Sequence, residues 1–135
     1  AQHIEADLDF ALEVGVDYVI LDGRAVMSCM TLAHEAAGRS IWTVEGVASE
    51  SPRGIHPIQA AWAECGGSQC GFCTAGFIMT SLAFLGEERQ PSRKRIAEAI
   101  SGNVCRCTGY KKILDAIELA AGRMARAAEQ EILFP

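Results

Sequence analysis

Four of the six cysteines lie in two closely spaced pairs, and this pattern constrains the fold more than any other feature of the chain. Cys70 and Cys73 form a C-x-x-C motif, and Cys105 and Cys107 form a C-x-C motif. Two such pairs can hold one metal centre, either structural zinc or an iron–sulfur cluster, since both accept four cysteine ligands. A redox-active dithiol or a secreted disulfide framework suits this spacing less well. The spacing alone leaves zinc and iron–sulfur open.

The residues around the two pairs support a metal centre. Gly71 lets the backbone fold closely around the first pair, and each pair precedes a predicted helix. Free N–H groups and the positive end of a helix dipole would stabilise negatively charged thiolates there. The remaining cysteines have weaker claims: Cys65 lies on the apolar face of a predicted helix, as a small core residue does, and Cys29 has no cysteine near it.

The first third of the chain is predicted to be a small α+β unit. Residues 18–26 read as a β-hairpin, because Asp22-Gly23 supplies the positive φ angles of a tight turn. A further strand is expected at residues 40–44, and a helical turn or short helix at residues 29–37. Residues 45–54, which are rich in small and turn-forming side chains, predict a linker.

The rest of the chain is predicted to be helical. Apolar residues recur at helical spacing in four segments, which are residues 57–65, 74–85, 92–101 and 110–129. Pro57 suits a first helical turn, and Thr74 and Ser92 suit N-caps. Four short helices would form a compact bundle or two helical hairpins.

Charge and hydropathy exclude several classes of protein. The net charge is −5, and no long basic stripe is present, so nucleic-acid binding is not expected. No run of eighteen or more apolar residues occurs, and the first ten residues are acidic. Neither a transmembrane helix nor a signal peptide is therefore indicated. We expect a soluble protein of the cytoplasm, with the periplasm as the alternative.

Four motifs together resemble the small iron–sulfur subunit of the xanthine oxidase family of molybdenum hydroxylases. These are TVEGVA at 43–48, HPIQAAW at 56–62, QCGFCTAGF at 69–77 and SGNVCRCTGY at 101–110. The resemblance implies an α+β fold with a partial β-grasp, ferredoxin-like unit at residues 1–48. A four-helix domain that binds a [2Fe-2S] cluster would follow at residues 49–135, with a C-terminal tail.

The same resemblance implies a function for individual residues. Cys70, Cys73, Cys105 and Cys107 would ligate the cluster, and Gln69 and Cys107 would lie beside the molybdopterin of a large catalytic subunit. Electrons would pass from molybdenum through this cluster to a second cluster, a FAD-containing subunit or a cytochrome, and this chain would carry no catalytic residue. Two alternatives stay open: a structural zinc-binding assembly module and an iron–sulfur redox sensor.

The first domain departs from the family pattern. Three positions where the family has cluster-binding cysteines carry Asp9, Val14 and Asp17, and only Cys29 remains. A valine cannot ligate a metal. Either the N-terminal cluster is lost, or the first twenty or so residues do not represent the native chain. As written, the chain is predicted to bind one cluster.

Overall fold

The computed structural model describes residues 18–49, 51 and 54–129. In these residues a three-stranded antiparallel sheet precedes five α-helices. The predictions for Asp9, Val14 and Asp17 and for the tail after residue 129 lie outside the described residues. The mixed α+β class expected from the sequence is confirmed.

The sheet is built on the predicted hairpin. Strands β1 (Tyr18–Leu21) and β2 (Arg24–Met27) pair through a turn in which Asp22 and Gly23 have φ angles of 47° and 83°. Both angles are in the left-handed region that a two-residue hairpin turn needs. Strand β3 (Ile41–Trp42) pairs with the other side of β1, which gives the order β2-β1-β3. The hairpin prediction is confirmed, and β3 is shorter than predicted.

The structure refines one local prediction in this region and corrects another. The helical turn or short helix expected at residues 29–37 is two separate 3-10 turns, Ser28–Met30 and Ala33–Ala36. The linker expected at residues 45–54 is wrong, because helix α1 (Val44–Ser49) occupies its first half. Val47 is fully buried in this helix. Burial of an apolar side chain in a tertiary core stabilises a helix that local propensity alone does not favour.

Four longer helices follow, and most of their ends match the predictions. They are α2 (Pro57–Cys65), α3 (Thr74–Glu87), α4 (Arg93–Ala99) and α5 (Lys111–Glu129). His56 caps α2, and Ser92 caps α4 by accepting a hydrogen bond from the Arg95 N–H. Thr74 is not an N-cap as predicted: it is the first residue of α3, and Cys73 precedes it. Helix α3 also continues through Gly86 to Glu87.

The sheet and the helices share one apolar core. Ile20 of the sheet and Val47 of α1 belong to the same buried cluster as side chains from α2 to α5, such as Ile58, Phe77 and Ile113. An ion pair at 2.6 Å between Arg123 and Glu64 also joins α5 to α2. The division of the chain at residue 48 stays a prediction. Within the described residues, no helix has both the length and the apolar character to span a membrane.

Candidate metal centre

Two loops meet at one end of the helical layer. The first connects α2 to α3 and carries Cys70 and Cys73, and the second connects α4 to α5 and carries Cys105 and Cys107. The side-chain amide of Gln69 donates a hydrogen bond to the carbonyl oxygen of Cys107 at 3.1 Å. The helical framework therefore places both predicted cysteine pairs in one site.

The first loop is held by a chain of polar contacts from α2. The indole N–H of Trp62 donates to the Ser68 hydroxyl at 3.1 Å, and that hydroxyl lies 2.6 Å from the hydroxyl of Thr74. Gly67 passes so close to Trp62 that a Cβ would lie 2.8 Å from the indole ring. Gly71 has a φ of 86°, which a residue with a side chain rarely adopts. The loop is thus fixed before it reaches Cys73.

The second loop folds back on the start of α5. The hydroxyl of Tyr110 accepts a hydrogen bond from the Cys105 N–H at 3.0 Å and donates one to the carbonyl of Asn103 at 3.3 Å. The ring of Tyr110 packs edge-on against Phe77 of α3, with 6.0 Å between the centroids. Its φ of 67° is unusual for a residue with a side chain. Tyr110 therefore anchors the backbone of Cys105 to the core.

The four thiols lie in two pairs, and each pair takes one cysteine from each loop. The sulfurs of Cys70 and Cys107 are 3.5 Å apart. Cys73 and Cys105 form the second pair, since each lies close enough to shift the pKa of the other. Among the residues that the structure describes, no three His, Cys, Asp or Glu side chains are arranged to hold a single metal ion.

In the outer pair, one thiol is more acidic than the other. The pKa of Cys70 is lowered, chiefly because the Phe72 N–H donates to its sulfur and secondly because the Cys107 thiol does. The pKa of Cys107 is raised, chiefly because its thiol donates to Cys70. Cys70 is thus the more acidic thiol of the outer pair.

The inner pair shows the same asymmetry. Burial, followed by the hydrogen bond with Cys105, raises the pKa of Cys73 to about 11. Partial burial acts to raise the pKa of Cys105 as well, but hydrogen bonds from Thr108 and from the Cys107 N–H prevail and lower it to about 7. Thiolates are the ligands that iron–sulfur clusters use. Cys105 is thus the more acidic thiol of the inner pair.

The donor set fits a binuclear cluster. A [2Fe-2S] cluster takes four thiolates, two on each iron, and the four cysteines already lie as two pairs. Cys70 and Cys107 are exposed, whereas Cys73 and Cys105 are half-buried. A cluster held by this set would have one protected side and one side open to the surface.

Large apolar side chains flank the exposed thiols. Phe72, between the cysteines of the first pair, is 86% exposed, and Val104, just before the second pair, is 79% exposed. Gln69 is exposed beside them. Sequence reasoning missed Phe72, Val104, Thr108 and Tyr110. The sequence signal that could have identified them is their position inside or directly beside the two cysteine motifs.

The other two cysteines lie apart from this site. Cys65 is half-buried in α2 and packs against the core, as predicted for a small core residue. Cys29 is exposed in the 3-10 turn after β2. Within the described part of the chain, neither contributes to the two thiol pairs.

Comparison with known families agrees with this geometry. Residues 43–118 match the model of the [2Fe-2S] binding domain, and this range includes all four paired cysteines. The chain is 44% identical over 110 residues to the nicotine 6-hydroxylase small subunit of Paenarthrobacter nicotinovorans. The match covers 82% of this chain and 65% of that subunit. Larger relatives are matched over a much smaller share, such as 12% of a Megalodesulfovibrio gigas aldehyde oxidoreductase.

Solved structures give the same result. Quinoline 2-oxidoreductase from Pseudomonas putida 86 superposes with a TM-score of 0.73 at 41% identity, over 81% of this chain and 67% of that one. Aldehyde oxidoreductase from Desulfovibrio gigas superposes with a TM-score of 0.76 at 39% identity, over 90% of this chain and 14% of that one. These matches confirm the resemblance that the four motifs predicted. The chain therefore belongs to the [2Fe-2S] binding domain family, among the iron–sulfur subunits of the xanthine oxidase family of molybdenum hydroxylases.

Proposed function

We propose that this chain is an electron-transfer subunit that holds one [2Fe-2S] cluster on Cys70, Cys73, Cys105 and Cys107. The observation that carries this proposal is the meeting of the four thiols as two pairs, each drawn from both loops. When bound, such a cluster accepts and releases one electron at a time. The two loops hold its ligands, and the half-buried inner pair packs against the core.

The exposed side of the site is proposed to face a molybdopterin-containing catalytic subunit. Cys107 and Gln69 lie at the surface, and their mutual hydrogen bond leaves the Gln69 carbonyl oxygen free to accept a bond from a partner. Phe72 and Val104 are exposed apolar residues of the same two cysteine loops, and we propose that they form an apolar rim beside the exposed thiols. Exposed apolar groups around a redox site favour close approach of a partner, which excludes water between donor and acceptor.

The chain's own residues support relay and not substrate chemistry. Among the described residues, His56 is the N-cap of α2 and so has a structural role. Electrons would leave the cluster toward a second cluster, a flavin or a cytochrome in another part of the assembly. We assign the oxidation of substrate to the partner subunit and only electron transfer to this chain.

Metal analysis of the purified complex tests this proposal. Iron, acid-labile sulfide, zinc and molybdenum are measured together, and the reduced sample is examined by EPR. We expect about two iron atoms for each copy of this chain in its cluster, with one EPR signal assignable to it. One zinc per chain without labile sulfide would contradict the proposal. Purification without any molybdenum-containing partner would contradict the assignment of the partner.

A further inference from the structure

Thr108 lies in contact with one of the proposed ligand sulfurs. Its hydroxyl oxygen is 3.2 Å from the sulfur of Cys105, three residues before it. The backbone N–H of Tyr110 donates to the same hydroxyl oxygen, also at 3.2 Å. Both Thr108 and Cys105 are half-buried, so this contact is partly shielded from water.

The chemistry of the contact determines which atom donates. The Thr108 oxygen accepts the Tyr110 N–H, and its own proton remains available for another acceptor. A cysteine sulfur bound to iron carries no proton and can only accept. The Thr108 hydroxyl must therefore donate to the Cys105 sulfur whenever Cys105 is a ligand.

We propose that Thr108 tunes the reduction potential of the cluster by donating this hydrogen bond to the Cys105 sulfur. The inference rests on the proposed function, since it needs Cys105 as a ligand. A hydrogen bond to a ligand sulfur withdraws negative charge from it. The reduced cluster carries one more negative charge than the oxidised cluster and gains more from the bond, so the bond raises the potential. Thr108 acts through Cys105 and is a positioning residue.

The chain offers a matched control beside another ligand. Thr74 follows Cys73 directly, but its hydroxyl bonds to the Ser68 hydroxyl at 2.6 Å. Within the described part of the chain, the Thr74 hydroxyl bonds to Ser68 and the Thr108 hydroxyl bonds to a cysteine sulfur. Removal of the Thr74 hydroxyl takes away one contact of the first cysteine loop but no bond to sulfur, so it tests the effect of loosening a loop near the cluster.

The experiment compares Thr108→Val, Thr108→Ser and Thr74→Val in the complete complex. Each protein is first analysed for iron, and its cluster is then titrated with reductant and followed by EPR. Thr108→Val should have a more negative reduction potential. At a fixed applied potential, the ratio of reduced to oxidised cluster should fall by about threefold to tenfold, and a tenfold fall corresponds to a shift of about 59 mV. Thr108→Ser and Thr74→Val should keep the potential of the unmodified protein.

Each other outcome has a defined meaning. Equal potentials in Thr108→Val and the unmodified protein, with iron retained in both, would overturn the inference and leave the proposed function intact. Unmodified protein without a cluster would overturn the proposed function and this inference with it. If Thr108→Val loses its iron, Thr108→Ala takes its place. Loss of iron from Thr108→Val and Thr108→Ala but not from Thr108→Ser would assign Thr108 to cluster retention and overturn the tuning role.

Discussion

The side-chain amide of Gln69 bonds to the carbonyl oxygen of Cys107 at 3.1 Å, across 38 residues of chain. This bond fixes the distance between the two cysteine loops. The sulfur of Cys70, next to Gln69, lies 3.5 Å from the sulfur of Cys107 as a result of the same approach. Gln69 therefore organises the outer thiol pair in addition to its proposed place beside the molybdopterin.

Replacement of Gln69 by leucine should loosen the outer pair. Leucine has a similar size but cannot donate to the Cys107 carbonyl, and the lost bond contributes about 0.5–1.5 kcal/mol. We expect the variant to bind iron but to lose it to a chelator several-fold faster than the unmodified protein. Gln90→Leu is the control, because Gln90 is exposed and far from the cysteines in sequence. Equal rates of iron loss in the two variants would contradict this role of Gln69.

The paired cysteines should differ sharply from the unpaired ones. Replacing any of Cys70, Cys73, Cys105 or Cys107 by serine should abolish the visible absorption of the cluster and lower the melting temperature, since a small domain depends on its metal. Cys65→Ser and Cys29→Ser are the controls and should keep the iron, because neither residue joins a thiol pair. Loss of iron from Cys65→Ser with retention in Cys105→Ser would refute the ligand assignment.

Protonation of His56 should destabilise the fold in mildly acidic solution. The Nδ1 atom of His56 accepts the Ile58 N–H at 3.2 Å, and burial lowers the pKa of His56 below its ordinary value of 6.5. The unfolded chain therefore binds a proton at a higher pH than the folded chain. The contribution of neutral His56 to the stability of the fold is fully present above pH 6.5. It falls as the pH drops toward the lower pKa of His56 in the folded state.

Thermal unfolding between about pH 7 and pH 5 measures this effect. Asparagine can cap a helix but does not titrate, so His56→Asn should show a weaker loss of stability with acid than the unmodified protein. The two proteins should differ in their acid-induced loss of unfolding free energy by no more than the stabilisation that an N-cap provides, about 0.5–2 kcal/mol. The same pH dependence in both proteins would show that other groups cause it.

Local signals in the sequence predicted much of the fold and the proposed ligand set. The hairpin turn at Asp22-Gly23, the helix start at Pro57 and the cap at Ser92 each depend on neighbouring residues alone. The two cysteine motifs were likewise visible as spacing, and the structure brings both into one site. Features determined within a few residues of chain can be predicted in this way.

Features that depend on tertiary packing could not be predicted from the sequence. Helix α1 forms because Val47 enters the common core, whereas its composition indicates a turn. The bonds from Thr108 and Tyr110 to Cys105 accompany a reversal of the second loop at Gly109 and Tyr110, whose φ angles are 64° and 67°. A positive φ at a tyrosine has no local sequence signal.

Two glycines should respond in opposite ways to alanine. A Cβ at Gly67 would lie 2.8 Å from the Trp62 indole, so Gly67→Ala must displace the ring that bonds to Ser68, at a cost of about 1–3 kcal/mol. Gly86 lies inside α3 with no atom within 4 Å of the added Cβ. Gly86→Ala should stabilise the helix by about 0.5–1 kcal/mol. Chemical denaturation of the two variants measures both effects, and stabilisation by Gly67→Ala would contradict the packing argument.

The apolar rim should be required for assembly with the catalytic subunit. Phe72 is 86% exposed and Val104 is 79% exposed, and each lies within a cysteine motif. A charge placed in a contact that excludes water must be desolvated, which costs several kcal/mol. Phe72→Asp should therefore reduce the amount of partner that co-purifies with this chain and weaken its affinity at least tenfold.

A charge at an exposed apolar residue away from the cysteines separates docking from general effects on solubility. Leu32 is 60% exposed and lies between the two 3-10 turns, in the sheet unit, so Leu32→Asp is the matched control. Iron content should be unchanged in both variants, because neither side chain is a proposed ligand. We expect normal assembly in Leu32→Asp and reduced assembly in Phe72→Asp. Equal loss of partner in both would mean that the rim has no special role, and the face of this chain that meets the catalytic subunit would then have to lie elsewhere.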